Sequence, residues 1–141
     1  MRHRNKKNIL NRNASYKNAL VKNLAASLIL YESVKTTAAK ARVLKDYTEK
    51  LITRAKDNTL TTSRKLLKKL PTKNAVNKLL EVIAPKFKNK RGGCIRINKL
   101  THRKGDGASL VLVEFIEKFE EISDSKLAKK IIKHAEKDGK N

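Results

Sequence analysis

Residues 92–116 decide the fold class, because their β-strand periodicity follows a chain of helical patterns; they read GGCIRINKLTHRKGDGASLVLVEFI. Polar residues alternate with Ile95 and Ile97 in the first part, and residues 110–116 are mostly aliphatic and β-branched. Such runs favour strands, and the basic connection Thr101–Ala108 contains the turn-forming sequence Gly105-Asp106-Gly107. The stretch therefore predicts two antiparallel strands joined by a basic hairpin loop.

The residues upstream of this hairpin carry helical periodicity. From Tyr16 onward, leucines recur every four residues, and Ser15 is placed to cap the helix that they predict. These leucines are Leu20, Leu24 and Leu28. Residues 32–36 are β-tolerant and predict a brief strand. Thr37 is placed to cap a second helix that continues through about residue 56. Its apolar positions are Ala41, Leu44, Leu51, Ile52 and Ala55.

Two further helices are predicted between residues 60 and 85, each ended by a proline. The first stops before Pro71, because a residue that precedes proline is pushed out of the helical region. The second has Thr72 as its cap and ends at Pro85. Their apolar positions are Leu66, Leu67 and Leu70, and then Ala75, Val76, Leu79, Leu80 and Ile83. A possible tail helix starts near Ser123, with Asp124 as its cap.

The chain is strongly basic, with 35 Lys and Arg against 13 Asp and Glu in 141 residues and a net charge of +22. A small domain stays soluble with about 2 to 8 charges, so this surplus points to a polyanionic partner. The surplus lies before Glu114, and residues 1–31, 58–80 and 82–105 contain no acid. These three stretches are the candidate contact surfaces. Residues 1–13 are basic and poor in aliphatics, which predicts an arm rather than a packed element.

Nucleic acid explains the cations best, since Lys and Arg bind phosphates without reading sequence. The few aromatic residues are scattered, which favours backbone recognition over base stacking. A free architectural protein that binds DNA or RNA remains an alternative, although no helix presents an obvious base-reading face. A membrane-surface role would instead need bulky apolar residues opposite a basic helix face.

Catalysis has few candidates. The single Cys94 excludes an intrachain disulfide framework and the usual multi-cysteine zinc site. No signature ties Cys94 or a serine to His3, His102 or His134. We therefore interpret Cys94 as an unreactive small apolar residue. An RNA-acting enzyme that uses Cys94 or His102 remains as a third hypothesis.

Seven short motifs together resemble the bacterial large-subunit ribosomal protein L17 family, in order and approximate spacing over residues 1–118. They are Met1-Arg2-His3-Arg4, Leu10-Asn11-Arg12, Thr36-Thr37 with Lys40-Ala41, Leu51-Ile52-Thr53, Gly92-Gly93, Arg96-Ile97 and Gly105-Asp106. Each motif is weak alone, but their combination is specific. Cys94 departs from the pattern, since the family usually carries an aromatic residue there.

The resemblance implies a small α/β (α+β) domain of order α-β-α-α-α-β-β with a short mixed sheet. The domain spans residues 14–118, between the arm 1–13 and a charged C-terminal extension 119–141. The implied role is a non-catalytic constituent of the cytoplasmic large ribosomal subunit, near the nascent-chain exit. It needs no cofactor, metal, membrane or small-molecule substrate.

The implied partners are large-subunit (23S-type) rRNA and neighbouring large-subunit proteins. A helix start such as that after Thr37 also suits a phosphate, although Thr36 and Thr37 read equally well as plain caps. The rRNA-facing residues expected on this chain are Arg2, His3, Arg4, Lys6, Lys7, Arg12, Lys17, Thr36, Thr37, Lys40, Lys88, Lys90, Arg91, Arg96, Lys99, Arg103 and Lys104.

Overall fold

A computed structural model describes residues 10–117 and Phe119. Its elements are helix α1 (Ala14–Tyr31), strand β1 (Ser33–Thr37), helices α2 (Ala38–Ala55), α3 (Leu60–Lys69) and α4 (Lys73–Lys78), a π-helical turn (Leu79–Ile83), helix α5 (Ala84–Lys86), and strands β2 (Ile95–His102) and β3 (Ser109–Phe115). The helical residues 73–86 follow one another without a break. Counted as one helix, they give the expected order α-β-α-α-α-β-β, and the mixed helix and strand class is confirmed.

The sheet has the strand order β1-β3-β2, so the last strand of the chain lies in the middle. Val113 at its centre pairs with Val34 of β1 on one side and Ile97 of β2 on the other. Both pairings are antiparallel. The mixed sheet implied by the resemblance is therefore wrong, and the sheet is antiparallel. The two strands that run in the same direction are separated by β3, and no parallel pair forms among the described residues.

The two faces of the sheet differ in burial. Val111, Val113 and Phe115 of β3 are buried, and their partners Ile95 and Thr36 are buried with them. This is the face that packs on the helices, because successive strand residues point to opposite sides. On the other face, which we call the open face, no residue is buried. The open face consists of Ser33, Lys35, Thr37, Arg96, Asn98, Leu110, Leu112 and Glu114.

Helix α2 supplies the centre of the helical layer. All five apolar positions that its periodicity predicts are buried, and each is at most 1% exposed. In α1 the buried side shifts from the predicted leucine stripe, since Leu28 is buried while Leu20 and Leu24 are half-buried. Val21, Ala25, Ala26 and Ile29 complete the buried side of α1.

Two helix boundaries differ from the sequence prediction. Helix α1 begins at Ala14 with Asn13 as its N-cap, so Ser15 lies inside the helix rather than at its cap. Helical backbone also continues past Pro85 to Lys86, where the amide of Phe87 donates to the carbonyl of Ile83. The preceding π-helical turn is wider than an α-helical turn, which gives the Pro85 ring room that a regular helix lacks.

The β2–β3 hairpin contains a β-bulge near its tip. Lys99 pairs with Val111 and His102 pairs with Ser109, so Leu100 and Thr101 lie opposite the single residue Leu110. A bulge increases the local twist and turns the residues beyond it. Here it places His102 on the same side as Lys99, where regular alternation would put it on the other side.

Three phenylalanines pack at the opposite end of the sheet. The ring centroids of Phe115 and Phe119 lie 5.3 Å apart at a T-shaped angle, and Phe87 lies 6.2 Å and 6.1 Å from these two rings. Phe87 is fully buried, and Phe119 is 6% exposed. The packed core therefore includes Phe119. The possible tail helix from Ser123 lies outside the described residues.

Candidate nucleic-acid interface

The hairpin tip and the start of α2 lie at the same end of the sheet. Thr37, the last residue of β1, pairs with Leu110, which is next to the terminal His102–Ser109 pair of the hairpin. Helix α2 begins immediately after Thr37, so its first turn adjoins the hairpin. The sheet therefore brings together residues that are distant in the chain. We call this end of the sheet the hairpin end. It comprises Thr37, Lys40, Lys99, Arg103 and Lys104.

The tip of the hairpin is ordered by one carboxylate. Asp106 Oδ1 accepts a hydrogen bond of 3.2 Å from the Ala108 amide, and Asp106 Oδ2 lies 3.0 Å from Arg103 Nη1. The Arg103 amide also donates to the Ala108 carbonyl at 3.0 Å. Arg103 is thus partly neutralised within the loop, whereas the neighbouring Lys104 is exposed and forms no ion pair with a described residue.

The first turn of α2 presents polar groups to the same end. Thr37 is the N-cap residue, but its side chain makes no capping hydrogen bond. Lys40 is half-buried in that first turn, and no acid is present in it. Exposed amides at a helix N-terminus attract anions, and a lysine beside them strengthens that attraction.

A second basic group lies at the other end of the sheet, before β2. We call Lys88, Lys90 and Arg91 the loop end. Lys90 Nζ lies 2.6 Å from Glu117 and 5.6 Å from the centroid of the Phe87 ring, and Lys56 donates to the Lys90 carbonyl. Lys90 therefore anchors the loop to the domain, while Lys88 and Arg91 are exposed.

The open face of the sheet lies between these two ends. Lys35 and Arg96 project from its outer strands and are exposed, and Asn98 donates a 2.6 Å hydrogen bond to Glu114 in the middle. The seven residues of β3 set the distance between the two ends at roughly 20 Å. Most of the expected residues on the sheet and its loops thus form two separated groups, and Arg96 lies on the open face between them.

The other expected residues lie elsewhere. Arg12 and Lys17 lie at the start of α1, and Arg12 donates to the carbonyl of Leu10 at 3.0 Å. Thr36 lies on the core face and is 9% exposed, so its side chain is not part of the surface. Arg2, His3, Arg4, Lys6 and Lys7 lie outside the described residues.

The sequence reasoning missed surface residues that the fold brings close to these groups. Lys35 lies on the open face, and Lys50 and Arg54 lie on the polar face of α2 near Arg91. A signal existed for the α2 residues, because positions separated by three or four share a helix face. No such signal joins α2 to Arg91, since their contact depends on how the loop folds back.

The reactive groups considered for catalysis are not arranged for it. Cys94 is 2% exposed, and burial raises the pKa of its thiol, which opposes formation of the thiolate nucleophile. His102 Nε2 lies 3.4 Å from Ser109 Oγ on the exposed hairpin. Within the described residues, no group of His, Cys, Asp or Glu is placed to hold a metal ion. The described helices also include none with the length and apolar character needed to span a bilayer.

Comparison with known proteins decides the family. The sequence model of the family described as "Ribosomal protein L17" matches residues 20–116, which covers the helical layer from within α1 onward and the whole sheet. The chain belongs to the ribosomal protein L17 family. This membership confirms the resemblance inferred from the seven short motifs, and the match includes both ends of the sheet described above.

Curated members of the L17 family cover most of this chain. "Large ribosomal subunit protein bL17" of Hydrogenobaculum sp. (strain Y04AAS1) is 44% identical over 118 residues, 83% of this chain and 100% of that protein. The proteins of the same name from Rickettsia bellii (strain OSU 85-389) and Phocaeicola vulgatus are 41% and 40% identical. These alignments cover 84% and 92% of this chain, and 83% and 80% of the two relatives. As a member of the L17 family, the chain is a ribosomal protein that takes part in translation.

Proposed function

We propose that the chain is a structural constituent of the large ribosomal subunit, where it binds the backbone of 23S-type rRNA through its hairpin end. The observation that carries the proposal is the sheet register, which places the hairpin with Lys99 and Lys104 at the same end of the sheet as the first turn of α2 with Lys40. These three lysines form no ion pair with any described residue. Such cations suit phosphates, because phosphate contacts release counterions and supply affinity without reading sequence.

The loop end supplies a second contact in this proposal. Lys88 and Arg91 are exposed, and the anchoring of Lys90 to Glu117 and Lys56 fixes the loop that carries them. Two contacts roughly 20 Å apart fix the orientation of a rigid body on folded RNA better than one contact does. Residues 1–13 serve as an additional basic arm in this proposal. The charged extension expected over residues 119–141 begins one residue later, because Phe119 packs in the core of the domain 14–118. The role is structural rather than catalytic.

Salt dependence of binding tests the proposal directly. The full-length chain is titrated against large-subunit rRNA at several salt concentrations, and then compared with the Lys99→Gln/Lys104→Gln double variant. Each lost phosphate contact lowers the slope of log affinity against log salt by roughly 0.9, a value taken from duplex DNA. The double variant is therefore expected to lose about 2 units of slope.

Lys45→Gln is the matched control, because Lys45 is half-buried on α2 and has Asp46 and Glu49 close in sequence. It removes one charge in the middle of α2, away from both ends of the sheet, so its slope should match that of the unmodified chain. Equal slopes for the double variant and the unmodified chain would show that the hairpin end is not a phosphate-binding surface.

The position on the particle is tested by crosslinking in isolated large subunits. We expect crosslinks from the hairpin end to one defined rRNA region on the nascent-chain exit side, together with contacts to neighbouring large-subunit proteins. Recovery of chromosomal DNA in place of one rRNA region would favour a free architectural protein.

A further inference from the structure

Helix α3 carries four exposed cations that are not among the expected rRNA-facing residues. They lie in the middle and the last turn of this ten-residue helix, and residues 58–80 around them contain no acid. Because positions four residues apart share a helix face, the four cations form two neighbouring pairs. We call them the α3 face: Arg64, Lys65, Lys68 and Lys69.

The cations of the α3 face have no partner within the described residues. None of their side chains forms an ion pair or a hydrogen bond there. Lys78, in the next helix, differs because its Nζ lies 2.8 Å from Glu32 Oε1. Lys45 of α2 also differs, since Asp46 is its neighbour in sequence. Acids thus accompany cations elsewhere in the helical layer, whereas α3 contains none.

The charge pattern of α3 opposes its own stability. Arg64 lies four residues before Lys68, and like charges at this spacing destabilise a helix. The same holds for Lys65 and Lys69. The helix dipole favours the two lysines of the last turn, but it gives no advantage to Arg64 and Lys65 in the middle. A local feature that costs stability without a compensating contact inside the chain is typical of a functional surface.

Contacts at both ends hold α3 in place. The side chain of Thr59 caps its start. At its end, the Tyr47 hydroxyl of α2 donates to the Lys69 carbonyl, and Lys22 Nζ of α1 donates to the Lys68 carbonyl. The backbone of the helix is therefore fixed on its neighbours, while the four charged side chains stay exposed.

The α3 face lies apart from the hairpin end. Tyr47, which contacts the last turn of α3, follows Lys40 in α2 by seven residues (47 minus 40), or roughly 10 Å along the helix axis. Helix α3 follows α2 after a short turn and runs back along it, so Arg64 lies farther from Lys40 than the last turn of α3 does. A partner at the α3 face therefore meets other groups than a partner at the hairpin end.

The arrangement favours a nucleic-acid backbone over an acidic protein as the partner. Leu60 and Leu67 of α3 are 69% and 45% exposed, but they are two helical turns apart and Arg64 lies between them in sequence. The centre of a protein interface is apolar and depleted of charge. Here the charges adjoin one another and the leucines are separate, as suits phosphates, which bind Lys and Arg without an apolar surface.

We propose that the α3 face is a second phosphate-binding surface for the RNA, separate from the hairpin end. Its four cations bind backbone phosphates of nucleotides that the hairpin end does not contact. Because α3 is fixed to α1 and α2, the domain holds two parts of the RNA in one relative position. This inference rests on the proposed function, since that function supplies the RNA.

Salt dependence of rRNA binding tests the α3 face. The full-length Arg64→Gln/Lys68→Gln variant, which we call the α3 variant, is titrated against large-subunit rRNA. It should lose about 2 units of the slope of log affinity against log salt, at roughly 0.9 for each phosphate contact. Arg64→Lys/Lys68→Arg is the matched control, because it changes the same side chains and keeps both charges, so its slope should stay unchanged. An unchanged slope for the α3 variant would overturn the proposal.

Thermal unfolding of the free protein separates a binding role from a structural one. The α3 variant removes a like-charge pair, so it should melt at the same temperature as the unmodified chain or at a higher one. A lower melting temperature would show that these cations support the helix and would contradict the repulsion described above. Should that variant fail to fold, Lys65→Gln/Lys69→Gln tests the surface through the same loss of slope.

Footprinting of the rRNA distinguishes this inference from the proposed function. We expect the α3 variant and Lys99→Gln/Lys104→Gln to lose protection of two different sets of nucleotides. If only the hairpin variant loses protection, the α3 inference fails and the proposed function stands. If only the α3 variant does, the hairpin end fails as the binding surface and the α3 face stands.

Two further outcomes would overturn the α3 inference. The first is loss of the same nucleotides by both variants, which would mean that the two surfaces are not separate. The second is crosslinking of Lys65 or Lys68 to carboxylates of a neighbouring protein within the subunit, with no change in the rRNA footprint of the α3 variant. That result would assign the α3 face to an acidic protein.

Discussion

Asp106 Oδ2 lies 3.0 Å from Arg103 Nη1, so a carboxylate at the tip of the hairpin holds one of the cations proposed to bind RNA. Both side chains are about half-exposed, and an exposed ion pair of this kind contributes about 0–1 kcal/mol to stability. The pair therefore affects the charge that the tip presents more than it affects folding.

Asp106→Asn should strengthen rRNA binding. The amide oxygen still accepts from the Ala108 amide, but Arg103 loses its carboxylate partner and becomes available to a phosphate. The slope of log affinity against log salt should steepen by roughly 0.9, with little change in thermal stability. The same charge change in Asp57→Asn, in the exposed turn after α2, should leave the slope unaltered. Weaker binding by Asp106→Asn would mean that loop order matters more than charge.

Tyr47→Phe should destabilise the domain by about 1 kcal/mol, the usual net contribution of one hydrogen bond. The Tyr47 hydroxyl donates to the Lys69 carbonyl at 2.8 Å and joins α2 to the last turn of α3. Burial raises the pKa of this phenol, so it stays protonated as a donor. Tyr31→Phe is the matched control, since Tyr31 is 75% exposed and should show no loss. Equal denaturation midpoints for the two variants would contradict the role of Tyr47.

Phe119→Ala should lower the free energy of unfolding by about 3 kcal/mol, as expected when a buried aromatic ring is removed. The ring packs edge-on against both Phe87 and Phe115 at the end of the sheet. Denaturant unfolding measures the loss, with Tyr16→Ala as the control at a residue that is 70% exposed. A loss below 1 kcal/mol would show that the domain folds without this ring.

The stability of the domain should fall as the pH rises above 9. Burial raises the pKa of the Cys94 thiol above its ordinary value of 9.0, so the folded state retains a proton that the unfolded state releases. The contribution of the protonated Cys94 thiol to the free energy of unfolding is therefore complete below pH 9. It is lost as the pH rises toward the pKa of the folded state. In Cys94→Ala, melting temperatures at pH 7.5 and pH 9.5 should differ less than in the unmodified chain. An identical difference in both proteins would refute this.

Local patterns predicted the elements well where one periodicity dominated. The α2 positions Ala41, Leu44, Leu51, Ile52 and Ala55 are all buried, because a single apolar stripe on a helix leaves one way to face the core. Residues 95–102 and 109–115 form the predicted hairpin, because strand alternation and a glycine-containing turn agree.

Features that local periodicity does not specify were not predictable from the sequence. The side chains of Thr37 and Thr72 occupy N-cap positions as expected but make no capping hydrogen bond, whereas Thr59 accepts from the amide of Thr62. The helical backbone beyond Pro85 depends on a π-helical turn that no local propensity specifies.

The candidate site also has features that local sequence predicts and features that depend on the tertiary fold. Charge indicated the loop before β2 and the hairpin tip, and the arm that it predicts at residues 1–13 lies mostly outside the described residues. Only the antiparallel register places Thr37 beside the hairpin and Arg91 at the far end. The proximity of Lys50 and Arg54 to Arg91 required the tertiary fold, since Lys50 and Arg91 are separated in sequence by 41 positions (91 minus 50). Sequence reasoning therefore identified the cations at the two ends of the sheet without their grouping.

The surplus residue opposite Leu110 lets β2 contain one residue more than β3 over this stretch while His102 still pairs with Ser109. Deleting one residue from Leu100-Thr101 would give regular alternation with His102 on the same side of the ribbon as Lys99, and it would remove only the extra twist of the bulge. Val111, Val113 and Phe115 would keep their packing, so the domain should fold normally while Arg103 and Lys104 leave the sheet at a different angle. The twist of this hairpin is thus coupled to the direction from which its partner must approach.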